Sequence, residues 1–368
     1  DNYPNGPYIT QCLLQKGQIY YNLSQNDKAK DAWEQVVKRD RNSAEGVEAL
    51  NHLKSLYTAQ GQIQKMQDYF HSVGADLSQV ALDSATYAVV KSDYLSNDFN
   101  KTLQMANGYL QKYPQGVFAT EVHFYRGEAY YKAQNNDSAI ADYAYVAKMP
   151  RGFFTESALA KASYIAFSKK DYTDALTYYT DLAQVAQYST NVSAARIGIM
   201  RCNYQLKKYN ATITAADTVL QTAKIQPEVY AEATFDIAKA LFGKEQYDSS
   251  LAMFKKVIPM THSEMEAESK YNVAYIQYLK GDIETSEKTV FDLVNQEPSY
   301  PEWMAKALIL LSDDYLAVHD DFQAKHTLKT VADNATDTSL VGKANRRIQK
   351  IDESEKKSLP PPVKPNMT

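Results

Sequence analysis

A ninefold recurrence at intervals of 36 to 38 residues constrains this chain more than any other feature of its sequence. A mostly small residue returns at Ala29, Met66, Thr102, Ala139, Ala175, Thr212, Ser250, Ser286 and Ala324, Met66 being the one large member. Four residues later comes a mostly bulky column: Trp33, Phe70, Ala106, Tyr143, Tyr179, Ala216, Phe254, Val290 and Leu328. Eight residues before the small column stands a third: Tyr21, Thr58, Tyr94, Tyr131, Phe167, Tyr204, Phe242, Tyr278 and Leu316. Seven of its nine members are aromatic in a chain that is 12% aromatic, so the column is a feature of the repeat and not of composition.

Between the aromatic and small columns lies a short polar break, as in "KAQNND" and "QLKKYN". Asn, Asp, Gly and Lys in such breaks end one helix and cap the next, so each unit reads as a helical hairpin. In the second helix the small residue and the bulky one four later share a face: the first admits the neighbouring helix closely and the second fills the space toward the next unit. Pro114, Pro150 and Pro298 stop second helices. Asp98, Asp171 and Asp282, each just before a second helix, read as N-terminal caps rather than acid-base groups. One hairpin cannot bury enough apolar surface to fold alone, so the chain is expected to be an all-α solenoid stabilised by its neighbour interfaces.

The rest of the chain fits that reading. Gly and Pro number only 13 and 12, which suits helices. The net charge of -4 and the lack of a basic stripe argue against a nucleic-acid partner. No run of apolar residues reaches the ~18 to 20 that cross a bilayer. Cys12 and Cys202 are too few and too distant for a disulfide framework or a zinc site and read as buried small apolar residues. The given sequence begins at Asp1 rather than Met, from which a processed or truncated product is expected. The array is assigned to 1–335. Residues 336–356 read as an amphipathic capping helix with Leu340, Val341, Ala344, Ile348 and Ile351 on one stripe, and 357–368 as a proline-rich disordered tail.

Gly127, Tyr130, Tyr131, Ala139, Tyr143 and Pro150, and likewise Gly17, Tyr20, Ala29 and Trp33, make the pattern resemble the tetratricopeptide repeat, over roughly residues 8 to 335. The first-helix glycine is replaced by Val90, Ser163, Met200, Ala238, Ala274 and Ser312. The resemblance implies a right-handed α-α superhelix of about nine hairpins whose first helices line a concave groove that holds protein or peptide partners. A known Lys, Asn and Arg clamp for C-terminal carboxylates is absent, its places holding Leu14, Gln18, Ala160, Tyr164, Ala194 and Gly198. Residues 303–331 resemble the final repeat of large tetratricopeptide proteins of the Bacteroidota envelope, which implies a periplasmic or outer-membrane-associated location.

Chemistry finds little support. The six histidines form no H-E-x-x-H or metal-ligand spacing, and His319, Asp320, Asp321 and His326 fall mainly in a turn. There is no phosphate-binding glycine loop and no nucleophile elbow. No cofactor or metal is expected, and the chain is read as no enzyme. The aromatic column either packs between units or faces the groove, and Tyr is favoured where one end of a ring is wet. Tyr94, Tyr131, Tyr164, Phe167, Arg201, Tyr204, Lys239, Phe242 and Tyr278 are therefore the candidate partner-binding residues. The chain is expected to be a non-catalytic interaction scaffold, the alternative being the docking portion of a larger enzyme. Partner identity and oligomeric state are not legible in the sequence.

Overall fold

The computed structural model describes residue 6 and residues 8–222 and 225–358. The 359–368 part of the expected tail, and residues 223–224, lie outside the described residues. Among the described residues there are nineteen α-helices, one short 3-10 turn at Ile258–Met260 and no strand. The first four hairpins are α1 (Ile9–Asn22) with α2 (Asn26–Asp40), α3 (Ala44–Ala59) with α4 (Ile63–Ser72), α5 (Gln79–Leu95) with α6 (Phe99–Lys112), and α7 (Ala119–Lys132) with α8 (Asn136–Lys148). Next come α9 (Thr155–Ser168) and α10 (Tyr172–Val185). Four more hairpins follow: α11 (Ser189–Gln205) with α12 (Tyr209–Leu220), α13 (Pro227–Gly243) with α14 (Tyr247–Val257), α15 (Glu264–Leu279) with α16 (Ile283–Val294), and α17 (Pro301–Ala317) with α18 (Asp321–Asn334). The expected capping helix is α19 (Thr338–Ser358), which packs on α18 and buries Ala344 and Ile351.

The chain forms two compact units, one of residues 1–170 with 185–187 and the other of 171–184 with 188–368. In the first unit α3 touches α1 and α5, and α5 touches α7. In the second α13 touches α11 and α15, and α15 touches α17. No comparable contact joins α2 to α4, α4 to α6, α12 to α14 or α14 to α16 among the described residues. Within each unit the first helices therefore form the more closely packed, inner side.

All nine residues of the small column are fully buried, at 0% exposure. The bulky column is buried as well, except that Tyr179 is only half-buried. The scattered replacement of the first-helix glycine has a volumetric reason. A Cβ on Gly17 would stand 2.4 Å from Trp33 Nε1, and one on Gly127 would stand 3.1 Å from a Tyr143 ring carbon. Where the bulky column shrinks to Ala216, the glycine place holds Met200, and both lie in one apolar cluster. Val90 stands in the same relation to Ala106. Large faces small across most hairpins, as close packing requires, the second departing with Lys54 at the glycine place opposite Phe70.

Every hairpin turn uses the same backbone device. One residue per turn is left-handed: Ser24, Gly61, Asn97, Gln134, Lys170, Lys207, Glu245, Gly281 and His319, with φ between 56° and 78°. In the fourth hairpin the Asn135 N–H donates to Tyr130 O at 2.9 Å and the Gln134 N–H to Tyr131 O at 3.0 Å, closing α7 with a Schellman-type pair. Seven of the nine residues are not glycine, although a side chain in this region costs roughly 1–2 kcal/mol. Replacing Gln134, Lys170 or His319 by Gly should therefore stabilise the protein by about 0.5–1 kcal/mol each, after the extra freedom glycine gives the unfolded chain. Gly281→Ala should destabilise it by a similar amount. Melting curves of the four single variants check both signs.

The caps agree with expectation in part. Asp98 accepts from the Lys101 N–H at 3.1 Å and Asp171 from the Asp174 N–H at 3.2 Å. Asp282 occupies the N-cap of α16 but makes no side-chain cap bond, so that expectation is corrected. The cysteine expectation also holds for only one residue. Cys202 is fully buried, and burial pushes its thiol up to about 11. Cys12 is exposed. At its register the later first helices carry buried Ala49, Ala85, Val122, Ala158, Ala195, Ala233, Ser269 and Ala307, whereas no described helix precedes α1 to cover it.

Candidate functional site

Five of the seven aromatic members of the column share one geometry, whereas Tyr21, 40% exposed, meets Trp33 of its own hairpin. Rings near the end of one first helix are met by a side chain of the next first helix, about one repeat later. Tyr94 on α5 stacks on Tyr125 of α7 with centroids 4.4 Å apart. The Lys161 ammonium of α9 lies 4.1 Å from the Tyr131 ring centre, and the Lys239 ammonium of α13 lies 5.1 Å from that of Tyr204 on α11. Phe242 on α13 meets Tyr275 of α15 at 6.0 Å. Tyr278 packs into the cluster that contains Leu310 and Leu311 of α17. Tyr94, Tyr131, Phe167, Tyr204, Phe242 and Tyr278 are all half-buried, with part of each side chain at the surface. The two sequence readings are thus combined in single residues: packing fixes the ring, and an edge remains accessible.

Of the other candidates, Tyr164 on α9 is the most exposed, at 58%. Arg201 on α11 forms a bidentate pair with Glu232 of α13, both contacts at 2.6 Å. Lys239 pairs with Glu268 of α15 at 2.7 Å. Burial disfavours the Lys239 charge, but the Glu268 hydrogen bond and charge outweigh it and raise its pKa. These ion pairs cross between successive first helices, and such planar, bidentate arginine geometry also gives rotational specificity to the stack. Tyr94, Tyr131, Tyr164 and Phe167 belong to the first unit. Arg201, Tyr204, Lys239, Phe242 and Tyr278 belong to the second.

Within the second unit Tyr204, Lys239 and Phe242 line one cleft of about 250 Å³, together with Tyr209, Phe254 and Asn272. Its wall depends on Gly243: a Cβ there would stand 2.4 Å from Tyr209 Cζ. Glycine inside a helix costs about 1 kcal/mol relative to Ala, and here it admits a tyrosine ring against the backbone.

Sequence reasoning missed a set of buried carboxylates. Asp142 is held at both oxygens, by Arg126 Nε and Nη2 at 2.9 and 2.7 Å and by His123 Nδ1 at 2.6 Å. Asp83 accepts from Tyr109 Oη and from the Val117 N–H, tying α5 to the start of α7. Asp236, on α13 beside Lys239, is 7% exposed, and burial followed by the Glu232 charge raises its pKa to about 7. Asp314 on α17 is 1% exposed. Its Oδ2 accepts from Ser286 Oγ at 2.9 Å, and its Oδ1 has no hydrogen-bond partner among the described residues. A signal existed for Asp314: it stands at the register where Ile165, Cys202, Ala240 and Ile276 are apolar and buried. Among the described residues no group of three His, Cys, Asp or Glu side chains could hold a metal ion, and no helix is long and apolar enough to cross a membrane. His319 is the left-handed turn residue and Asp320 caps α18, accepting from the Gln323 N–H at 2.9 Å.

The family model for the tetratricopeptide repeat matches residues 11–43, the span of the first hairpin. The same buried columns and turn geometry recur in all the hairpins that follow. The first hairpin matches the tetratricopeptide repeat, and the later hairpins repeat its architecture. No curated protein matches its sequence. It is similar to the crystal structure of a tetratricopeptide repeat protein from Parabacteroides merdae (14% identity, 75% of this chain and 100% of that one, TM-score 0.37). It is also similar to the C-terminal part of a repeat-containing protein from Cytophaga hutchinsonii (14%, 69% and 97%, TM-score 0.47) and to yeast Tom70 (10%, 94% and 96%, TM-score 0.42). Every candidate residue named from the sequence lies on a first helix, from α5 to α15.

Proposed function

We propose that this tetratricopeptide chain is a non-catalytic scaffold that holds protein or peptide partners against its first helices. The observation that carries the reading is the half-buried aromatic column. Its rings are immobilised by the next first helix while their edges stay at the surface, so contact area is presented with little ordering cost on binding. Lys161 and Lys239 lie over two of these rings, and with the Arg201–Glu232 pair they add polar selectivity. Location in the bacterial envelope, at the periplasm or outer membrane, belongs to the same proposal and rests on the resemblance of residues 303–331. Fractionation of cells expressing the native coding sequence tests it, and recovery in the cytosolic fraction would overturn it.

A photo-cross-linking amino acid at Tyr164, on the first-helix side, should capture a defined partner in the source cell. The same group at Gln104 on α6 should not. Tyr164→Ala should leave stability within about 0.5 kcal/mol, as for an exposed position, while lowering capture at a second first-helix site such as Lys161. Equal capture from both helix faces, or none from the first-helix face, would count against the scaffold reading.

A further inference from the structure

The turn edge of the second unit departs from the rest of the array in charge and in shape at one place. At two turns a lysine that closes a first helix pairs with an aspartate in the first turn of the preceding second helix. Lys169 pairs with Asp137 in the first unit, and Lys280 with Asp248 in the second. Lys244 holds the same register as Lys169 and Lys280, but the residue at the register of Asp137 and Asp248 is Asn210. Lys207 and Lys208 stand in the adjoining turn. All three lysines are exposed, and no ion pair engages any of them among the described residues. Lys207, Lys208, Asn210 and Lys244 surround a shallow depression beside Tyr209.

Tyr209 and Lys207 also border the 250 Å³ cleft, so cleft and lysine cluster are two sides of one ring. The cleft is walled by Tyr204, Tyr209 and Phe242 above the fully buried Phe254. It exists because of Gly243, since the matching residues at Asn22, Ala59, Leu95, Lys132, Ser168, Gln205, Leu279 and Ala317 all carry a Cβ. Lys239 of α13 and Asn272 of α15 line the cleft as well. Asn272 Nδ2 is already committed to Glu268 O at 2.7 Å, which leaves its Oδ1 to accept from a peptide N–H.

We infer that this surface docks an acidic peptide segment of a partner protein, with one aromatic or large aliphatic side chain in the cleft and carboxylates over Lys207, Lys208 and Lys244. The inference rests on the scaffold reading and names the class of partner for its second unit. Charge complementarity selects the occupant. Three cations without counter-ions among the described residues lie beside an aromatic slot, whereas Glu232 and Glu268 are already paired with Arg201 and Lys239. The segment therefore places its acidic residues over the lysines, next to the anchor side chain. A second copy of the chain and a basic peptide are the competing occupants.

The test uses the full chain and fluorescent peptides in an anisotropy titration. The probe carries one Phe followed by three Asp; the controls replace Phe by Ala, or the three Asp by three Lys. The Phe-Asp probe should bind, and its affinity should fall as salt rises from about 0.05 M to about 0.5 M. Both controls should bind far more weakly. Joint Lys207→Gln, Lys208→Gln and Lys244→Gln substitution should weaken the probe about tenfold with helicity unchanged. Gly243→Ala should weaken it by displacing Tyr209 without altering charge. Should Gly243→Ala loosen the hairpin, the lysine variant alone decides. Equal binding of Phe-Asp and Phe-Lys peptides, no binding of either, or unaltered affinity in the lysine variant overturns the inference. Concentration-dependent sedimentation that the lysine substitutions abolish would assign the surface to a second copy and overturn it too. If the peptides fail while cross-linking at Tyr164 still captures a partner, the scaffold reading stands and only the acidic-segment inference falls.

Discussion

Raising the pH from 5 to 8 should destabilise the second unit by several kcal/mol, and Asp236→Asn with Asp314→Asn should remove most of that loss. Both carboxyls are buried, and burial is the largest cause that raises them, to about 7 for Asp236 and about 6 for Asp314. In the unfolded chain an aspartate titrates near 4. A folded-state pKa above the unfolded one means that the native state binds the extra proton between the two values. The stabilising contribution is thus complete below pH ~4 and is lost as pH rises through about 6 and about 7. At 1.36 kcal/mol per unit the upper limits are about 4 kcal/mol for Asp236 and about 3 kcal/mol for Asp314. Lys239 and Arg201 lower the Asp236 value and are already included in it, whereas the Ser286 hydrogen bond only partly offsets burial at Asp314. Urea unfolding at pH 5, 6, 7 and 8, followed by hydrogen exchange in α13 and α17, measures the effect. A wild-type stability that rises over this range, or asparagine variants no more stable than wild type at pH 8, would sink the argument.

Trp33→Ala should cost about 3–5 kcal/mol, the range for truncating a large buried aromatic side chain. Trp33 is 1% exposed, donates from Nε1 to Leu14 O at 3.3 Å, and stacks on His52 with ring centroids 4.8 Å apart. It therefore joins α1, α2 and α3. Because stability in a repeat array is a sum of local units and neighbour interfaces, the damage should stay local. Amide exchange should accelerate in α1, α2 and α3 while α13 to α17 keep wild-type protection. Uniform acceleration along the chain would show instead that the array unfolds as one cooperative block.

The architecture was legible because period and phase are written directly in residue size. Nine small residues at 0% exposure, and the paired volumes of Gly17 with Trp33 and Met200 with Ala216, are local rules that repeat. The direction of the aromatic column was not legible. Period fixes where Tyr131 sits on α7, but its cover, Lys161, comes from a helix whose rotation depends on the whole interface. Nor could the buried Asp236 and Asp142 be told from surface carboxylates, since part of what surrounds them, Arg201 and Glu268 for the first and Arg126 and His123 for the second, comes from other helices. The division of the chain after residue 170 left no mark in the period either, because the interval from Ala139 to Ala175 matches the others. The cleft at Gly243 had a faint signal, a glycine two residues before a left-handed turn in an otherwise apolar helix.

The forward stagger of the rings gives the molecule a direction in time. Tyr94 is covered by Tyr125, Tyr131 by Lys161, Tyr204 by Lys239 and Phe242 by Tyr275, always by residues made later. During synthesis at ~5–20 residues per second, each new ring stays uncovered for about 2–7 s until the next first helix emerges. That stickiness moves along with the growing end of the chain during synthesis rather than accumulating behind it.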